Sequence, residues 1–387
     1  MFYNKEKKET KIMLKSFSVE NYKSFNKKIV FDLSNISDYQ FNTDCIRNSL
    51  LNKSIIFGVN GSGKSNLGLA IFDIIQVLTD KNLDRKMLDP ISFLNINNSL
   101  PYAEFSYTFQ FQNNNVEYVY RKSTPTTLIY EELKVNGVTA FICDFEKNEI
   151  PSFSADVINA SNLSIDAFHG DISFLRYINA NASLPQNNII REIMDFVNGM
   201  LWFRSLQENG YIGLQTGAET LVSWIANNGY ALDFQNFLKK IANLDFEFET
   251  GIQEALIPAK TLLVKGTTKK IYFDSTASTG TNALMLLYYW IKHFDKVKFV
   301  FMDEFDAFYH FELAKNVLNF IIINYPEIQT VFTSHNTVLA TNQLLRPDCC
   351  LTLVNGELKS FKDRTTRELR ESHNLEKLLR SGEFDEE

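Results

Sequence analysis

From Ile12 to Glu20 the chain carries Phe17 and Val19 on one side of an expected strand. After the turn Asn21-Tyr22-Lys23-Ser24-Phe25, the alternation of Ile29, Phe31 and Leu33 predicts a second strand. The short apolar run Ser54-Ile55-Ile56-Phe57 reads as a buried strand, and Leu67, Ile71, Ile74 and Leu78 then share one helix face. Phe105, Tyr107, Phe109 and Phe111 alternate strictly, and Asn113-Asn114-Asn115 turns the chain into Val116 to Tyr120. A further hairpin is expected at Asn136-Gly137, a dipeptide suited to tight turns with positive φ. Residues 12–142 therefore predict a mixed sheet carrying an antiparallel layer.

The pattern changes near Cys143. Ile189, Ile193, Val197 and Met200 recur at helical spacing, as do Leu232 or Phe234 with Leu238 and Ile241, so 143–265 reads as a mostly helical insertion. Strands are expected again at Thr261–Val264 and Lys270–Phe273, a helix from Thr279 to about His293, and a strand over Val297–Met302. A helix bearing Leu313, Val317 and Ile321, a strand at Thr330–Thr333, a helix from Asn336 and a strand at Cys350–Val354 complete 266–387. Strand–helix alternation of this kind implies a parallel sheet covered by helices, an α/β fold. In the charged tail from Arg364, Leu369, Leu375, Leu378 and Leu379 suit one helix face.

Composition narrows the class. The 387 residues are 45% hydrophobic and 22% charged, as in an ordinary globular protein, and the net charge of −7 gives no sign of general nucleic-acid binding. The basic residues Lys359, Lys362, Arg364, Arg367 and Arg370 read as a solvated face, with a partner or nucleic acid as the other reading. Cys45, Cys143, Cys349 and Cys350 have neither zinc-site nor disulfide-framework spacing, which points to a reducing cytoplasm. Met1 to Lys11 lacks the apolar core of a signal peptide, and either Met1 or Met13 could be the start. The longest apolar stretch, Ala283 to Ile291, is too short to span a membrane.

Between the buried strand and the first helix lies Gly58-Val59-Asn60-Gly61-Ser62-Gly63-Lys64-Ser65, which matches the phosphate-loop pattern at every fixed position. Glycines let successive amides curl toward phosphate oxygens, Lys64 brings an ammonium to the β- and γ-phosphates, and Ser65 can ligate Mg²⁺. Asp303-Glu304 follows the apolar run ending at Met302. Asp303 suits the metal shell, and Glu304 suits the orientation or deprotonation of an attacking water. His335, in Phe332-Thr333-Ser334-His335-Asn336, can donate to a γ-phosphate. Ser275-Thr276-Ala277-Ser278-Thr279-Gly280-Thr281 opens a helix that Ser278 can cap and that Gly280 lets a neighbour approach.

In this order the four pieces resemble the ABC-type ATPase arrangement. Transporter subunits match poorly, because roughly 240 residues separate Lys64 from Asp303 and Ser278-Thr279-Gly280-Thr281 departs from Ser-Gly-Gly-Gln. The chain is similar instead to the AAA-type abortive-infection ATPases, related to overcoming-lysogenization-defect, chromosome-maintenance and RecF-type ATPases. The resemblance rests on Phe17 to Phe25, Gly58 to Asn66, Ser278 to Thr281, Met302 to Asp306 with His310, Phe332 to Asn336, and the end around Arg367 to Arg380. It implies an ABC-type P-loop NTPase fold using ATP and Mg²⁺, with nucleotide held by Asn60, Gly61, Ser62, Gly63, Lys64, Ser65 and Asn66. Ser278 and Gly280 would act on nucleotide of a second copy, making a homodimer or higher oligomer, and Asp306 would lie in the loop crossing that interface. A Q-loop glutamine is open among Gln76, Gln110 and Gln112, as is the role of His310. The function implied is a nucleotide-gated sensor or scaffold in bacterial anti-phage defence, controlling a separately encoded toxin or nuclease, with a phage-derived trigger or DNA as further partners. The alternative is a DNA-repair or chromosome-type ATPase that clamps DNA, although no sustained heptad repeat supports a long coiled-coil arm. About fifty residues follow His335, too few for a fused nuclease domain of usual size.

Overall fold

The computed structural model describes residues 12–81, 88–204, 210–213, 220–253 and 259–385. The first part of the chain runs β1 (Ile12–Glu20), β2 (Ile29–Asp32), β3 (Ile46–Arg47), β4 (Leu50–Leu51), β5 (Lys53–Phe57), α1 (Lys64–Leu78), β6 (Ala103–Phe111), β7 (Asn114–Thr124), β8 (Thr127–Val135), β9 (Val138–Asp144) and β10 (Glu149–Phe153). Next come α2 (Phe174–Asn181), α3 (Ile189–Asn198), β11 (Met200–Arg204), β12 (Gly210–Gly213), α4 (Leu221–Asn227), α5 (Ala231–Ala242), β13 (Phe248–Gln253), β14 (Ala259–Lys265) and β15 (Lys270–Tyr272). The last part comprises α6 (Thr279–Ile291), β16 (Phe299–Asp303), α7 (Phe311–Asn324), β17 (Gln329–Ser334), β18 (Cys350–Val354), β19 (Glu357–Ser360) and α8 (Leu375–Arg380).

Among the described residues the strands form two seven-stranded sheets, with smaller two- and three-stranded ones beside them. One is antiparallel, in the order β10-β9-β8-β7-β6-β1-β2. The aromatic alternation of β6 places Phe105, Tyr107, Phe109 and Phe111 on its buried face. Asn136 and Gly137 both adopt positive φ (51° and 79°) in the β8–β9 turn, as their types favour. The other sheet runs β12-β11-β16-β17-β5-β18-β19, parallel from β11 to β18 with an antiparallel strand at each edge. This is the expected α/β fold, a phosphate-loop sheet beside an antiparallel layer.

Helix α1 lies between the two sheets, which accounts for its burial all round from Leu67 to Ile75. Toward the parallel sheet the approach is so close that a Cβ on Gly68 would stand 2.9 Å from ring atoms of Trp202 and Phe301. Toward the antiparallel sheet, Tyr107 donates its hydroxyl to the carbonyls of Ala70 (3.0 Å) and Ile71 (3.2 Å). The buried ammonium of Lys122 bonds both Asp73 oxygens (2.8 and 3.0 Å) and Gln76 Oε1 (2.9 Å). Such a pair tolerates burial only because its remaining hydrogen-bonding capacity is used; Tyr120 supplies a further donor to Asp73 at 2.9 Å. Helix α3 also reaches both sheets, with Phe196 against Phe109 and Phe299. Helices α5, α6 and α7 pack together through Phe237, Tyr288 and Phe320.

Three sequence expectations change here. Residues 143–265 carry α2 to α5 together with strands, and β11 enters the parallel sheet itself, in register with β16 from Met200↔Phe299 to Arg204↔Asp303. Met200, grouped with a helical face by periodicity, starts this strand because α3 ends at Gly199. The helix expected from Asn336 shrinks to one 3-10 turn, Thr337–Leu339, as Asn336 caps it and β-branched Thr337, Val338 and Thr341 disfavour continuation. Lys359 pairs with Glu357, Arg367 with Glu383 and Arg370 with Glu368 within the tail, while Lys362 donates to Asn35 Oδ1 from the far end of the sequence. The side chain of Arg364 is buried and donates to Thr352 and the Glu357 carbonyl, which corrects its place on a solvated face. Leu369 and Leu375 are buried as that tail folds back. All four cysteines are buried free thiols. No helix among the described residues is long and apolar enough to cross a membrane.

Candidate nucleotide site

Parallel strand order brings the motifs to one edge. β17 lies between β16 and β5, with Met302 opposite Phe332 and Ser334 opposite Phe57. Asp303-Glu304, Thr333-Ser334-His335 and the loop from Gly58 therefore leave the sheet side by side at its carboxyl end, where α/β sheets bind ligands.

The loop itself depends on glycine in two places. Gly61 and Gly63 have φ of +82° and +107°, and Gly63 is the residue from which α1 starts. No side chain caps α1, so the amides of its first turn are left to a ligand. Lys64 is 4% exposed, and its Nζ folds back onto the loop carbonyls of Gly58 (2.7 Å) and Val59 (3.1 Å). Burial lowers the Lys64 pKa, and Glu304, Asp303 and Asp306 oppose that fall in decreasing order. Three carboxylates remote in sequence thus bear on one ammonium. Ser65 and Asn66 are half-buried in the first turn of α1, while Asn60 and Gly61 are exposed at the loop's tip. Asn66 donates to Ser24 Oγ at 2.8 Å, which ties the Asn21–Phe25 turn to the loop.

Asp303 is buried at the end of β16, and Glu304 begins the turn beyond it with φ of +46°. The hydroxyl of Thr333 donates to Asp303 Oδ1 (2.7 Å) and accepts the Glu304 amide (2.8 Å). Ser334 donates to Asp306 Oδ2 (2.9 Å) and accepts the Asn336 amide (2.9 Å). Burial raises the Asp306 pKa; the Ser334 hydrogen bond and the charge of nearby His335 act against that rise. His335 stands exposed beyond Ser334. Two buried polar atoms at this edge, Ser62 Oγ and Asp306 Oδ1, have no hydrogen-bond partner. An uncommitted hydroxyl on the loop and carboxylates converging on Lys64 are a donor set that fits a polyphosphate with its divalent cation.

The remaining motif faces differently. Ser278 caps α6 by accepting the Thr281 amide at 3.2 Å, and a Cβ on Gly280 would lie 3.0 Å from the Phe308 carbonyl. These residues therefore pack beside the turn that follows Asp303. Of the candidate glutamines, Gln76 bonds Lys122 on α1, Gln110 reaches the Asn48 carbonyl, and Gln112 occupies the β6–β7 turn with φ of +53°. None is among the hydrogen-bonded groups at the motif edge. His310 caps α7, its Nδ1 accepting the Leu313 amide at 3.3 Å. Two cavities lie elsewhere: one of about 260 Å³ beside Cys143 and Phe168, the other of about 480 Å³ between Lys315, Asn342 and His373.

What motif reading missed is the pair of hydroxyls on β17. Within the motif Thr333 and Ser334 read only as the approach to His335, although two hydroxyl residues ending a buried strand are a readable signal of polar partners across the sheet.

A family model described as "AAA domain, putative AbiEii toxin, Type IV TA system" matches residues 54–341. No curated protein matches the chain. Similar solved structures include a "SmcHead bound to the C-winged helix domain of ScpA" (16% identity, 90% of this chain and 96% of that chain, TM-score 0.46). Another is the SMC head domain from Thermotoga maritima (14% identity, 90% and 97% covered, TM-score 0.42). A third is the Smc head domain with an extended coiled coil bound to the C-terminal domain of ScpA derived from Pyrococcus furiosus (15% identity, 90% and 96% covered, TM-score 0.47).

Proposed function

The chain belongs to the AAA-domain family just described, and on that premise we propose that it binds and hydrolyses ATP as an ABC-type ATPase. In this reading it serves in the cytoplasm as a nucleotide-gated sensor or scaffold of bacterial anti-phage, abortive-infection defence, controlling a separately encoded effector. The observation that carries the ATPase reading is the β16–β17–β5 register, which brings Asp303-Glu304, the end of β17 at His335 and the phosphate loop to one edge of the parallel sheet. The family's description as a toxin–antitoxin component supports a partner encoded elsewhere.

On binding, Lys64 exchanges the carbonyls of Gly58 and Val59 for phosphate oxygens, and the amides from Gly61 to Asn66 line the triphosphate. Mg²⁺ supplies charge neutralisation at the β- and γ-phosphates when bound, and Ser65 and Asp303 are the residues to hold it. Glu304 orients the attacking water, and His335 donates to the γ-phosphate. Ser278 and Gly280 of a second copy close the site, so ATP links two subunits and its cleavage to ADP and phosphate loosens them.

Two variants test this. Lys64→Ala should weaken ATP binding by about 10- to 100-fold, the value of one charge-assisted hydrogen bond, as read by calorimetry. Glu304→Gln should bind ATP, fail to hydrolyse it and accumulate as a dimer in light scattering. Wild-type turnover by both variants would overturn the site assignment.

A further inference from the structure

We propose that Thr333 is a positioning residue of the hydrolytic site, whose single hydroxyl ties the strand carrying His335 to both acidic residues at the end of β16. The proposal rests on the ATPase reading above. Thr333 is fully buried, and the β16–β17 register sets it beside Asp303. A hydroxyl has one proton to give. Because the Glu304 amide needs Thr333 Oγ1 as its acceptor, that proton goes to Asp303 Oδ1.

The consequence for Glu304 is conformational. Its φ of +46° is a left-handed backbone that a side-chain-bearing residue adopts only under strain. The hydrogen bond from the Glu304 amide to Thr333 Oγ1 holds that conformation and so the direction of the carboxylate. Ser334 makes the corresponding tie from the next residue of β17, to Asp306. A shift of the strand end when His335 meets or loses a γ-phosphate is therefore passed to Glu304 through Thr333 and to Asp306 through Ser334. A purely structural hydroxyl would affect stability and nucleotide affinity together; a positioning hydroxyl affects the chemical step while affinity persists.

The test uses the full chain with Thr333→Val, which removes both hydrogen bonds at nearly constant shape, and Thr333→Ser, which keeps them. Thr333→Ala, which opens space instead of filling it, guards against a packing artefact of valine. For Thr333→Val and Thr333→Ala, kcat should fall about 10- to 100-fold, the usual effect of losing an outer-shell partner, with KM and the affinity for a non-hydrolysable ATP analogue little changed. Thr333→Ser should retain most of the wild-type rate. Independently of turnover, hydrogen exchange at the Glu304 amide should accelerate in the valine variant and stay slow in the serine variant. Wild-type kcat and exchange in Thr333→Val, or equal impairment of the serine variant, would overturn the proposal. If wild type does not hydrolyse ATP, the ATPase reading fails, and the exchange rates still decide whether Thr333 holds Glu304.

Discussion

Two helices of this chain start at short turns rich in small residues, α1 at Gly63 and α6 at Ser278, and they treat their first amides in opposite ways. At α1 the starting residue has φ of +107° and no side chain caps the helix, so its first amides are left without a side-chain acceptor. At α6 the hydroxyl of Ser278 already accepts the Thr281 amide and also lies 2.9 Å from Thr281 Oγ1. The first end is an anion site in waiting; the second is satisfied by its own cap and must give that up to engage a phosphate. In the proposed reading, similar residue types thus make one half-site and one latent half, which suits nucleotide acting as the link between two copies.

Substituting each glycine should separate the two ends most clearly. Gly63→Ala forces a left-handed alanine, costing about 1–2 kcal/mol, and its Cβ would meet Ser24 Oγ at 3.2 Å and the Phe25 ring at 3.3 Å. Lower melting temperature and roughly tenfold weaker ATP binding, the equivalent of about 1.4 kcal/mol, are expected in calorimetry. Gly280→Ala needs no positive φ, but its Cβ would press on the Phe308 carbonyl. Monomer affinity should survive there while hydrolysis and nucleotide-dependent dimerisation fall.

Ser278→Ala should be milder, removing about 1 kcal/mol of helix-cap stability. ATP binding by the monomer should be unchanged, whereas dimers of Glu304→Gln should dissociate more readily when Ser278→Ala is added. Weaker monomer binding as large as that of Gly63→Ala would erase the contrast between the ends.

The effect furthest from nucleotide lies at the opposite end of β5 from the loop. Lys53 is fully buried, donates to the carbonyls of Tyr325 and Ile328, and has its pKa lowered to about 7, mainly by burial. Below pH 7 both folded and unfolded chains keep this proton and the penalty is full. Between pH 7 and the ordinary lysine value near 10.5 only the unfolded chain keeps it, so stability rises with pH. Melting temperatures should therefore climb more steeply from pH 7 to 9 in wild type than in Lys53→Met, with ATP affinity indifferent to the change. A parallel pair of curves would show that the lysine stays charged in the fold.

Much of this architecture is legible in the sequence alone. The aromatic alternation of β6, the Asn136-Gly137 turn and the apolar run before Gly58 each report on neighbours only a few residues away. Helix α1 was legible as amphipathic, yet it is buried on every side, because its second layer comes from β6 and β7, whose contact no periodicity encodes. Strand β11 was hidden because Met200 falls in phase with the preceding helix, and only Gly199 marks the break. The tail's charges read as solvated although Arg364 is buried, since its hydrogen-bond partner Thr352 lies on a strand that periodicity cannot place beside it.

Local sequence alone determined the phosphate loop, the Ser278 cap and the acidic pair after an apolar run, since each is a matter of backbone freedom and side-chain reach over one or two turns. The tertiary structure decided which strands are neighbours and in what register. That choice brings Asp303, Glu304 and Asp306 to Lys64 and sets Thr333 between Asp303 and the Glu304 amide. Strand order is settled by packing among segments hundreds of residues apart, and a strand's own alternation specifies which face is buried but not which strand will lie beside it.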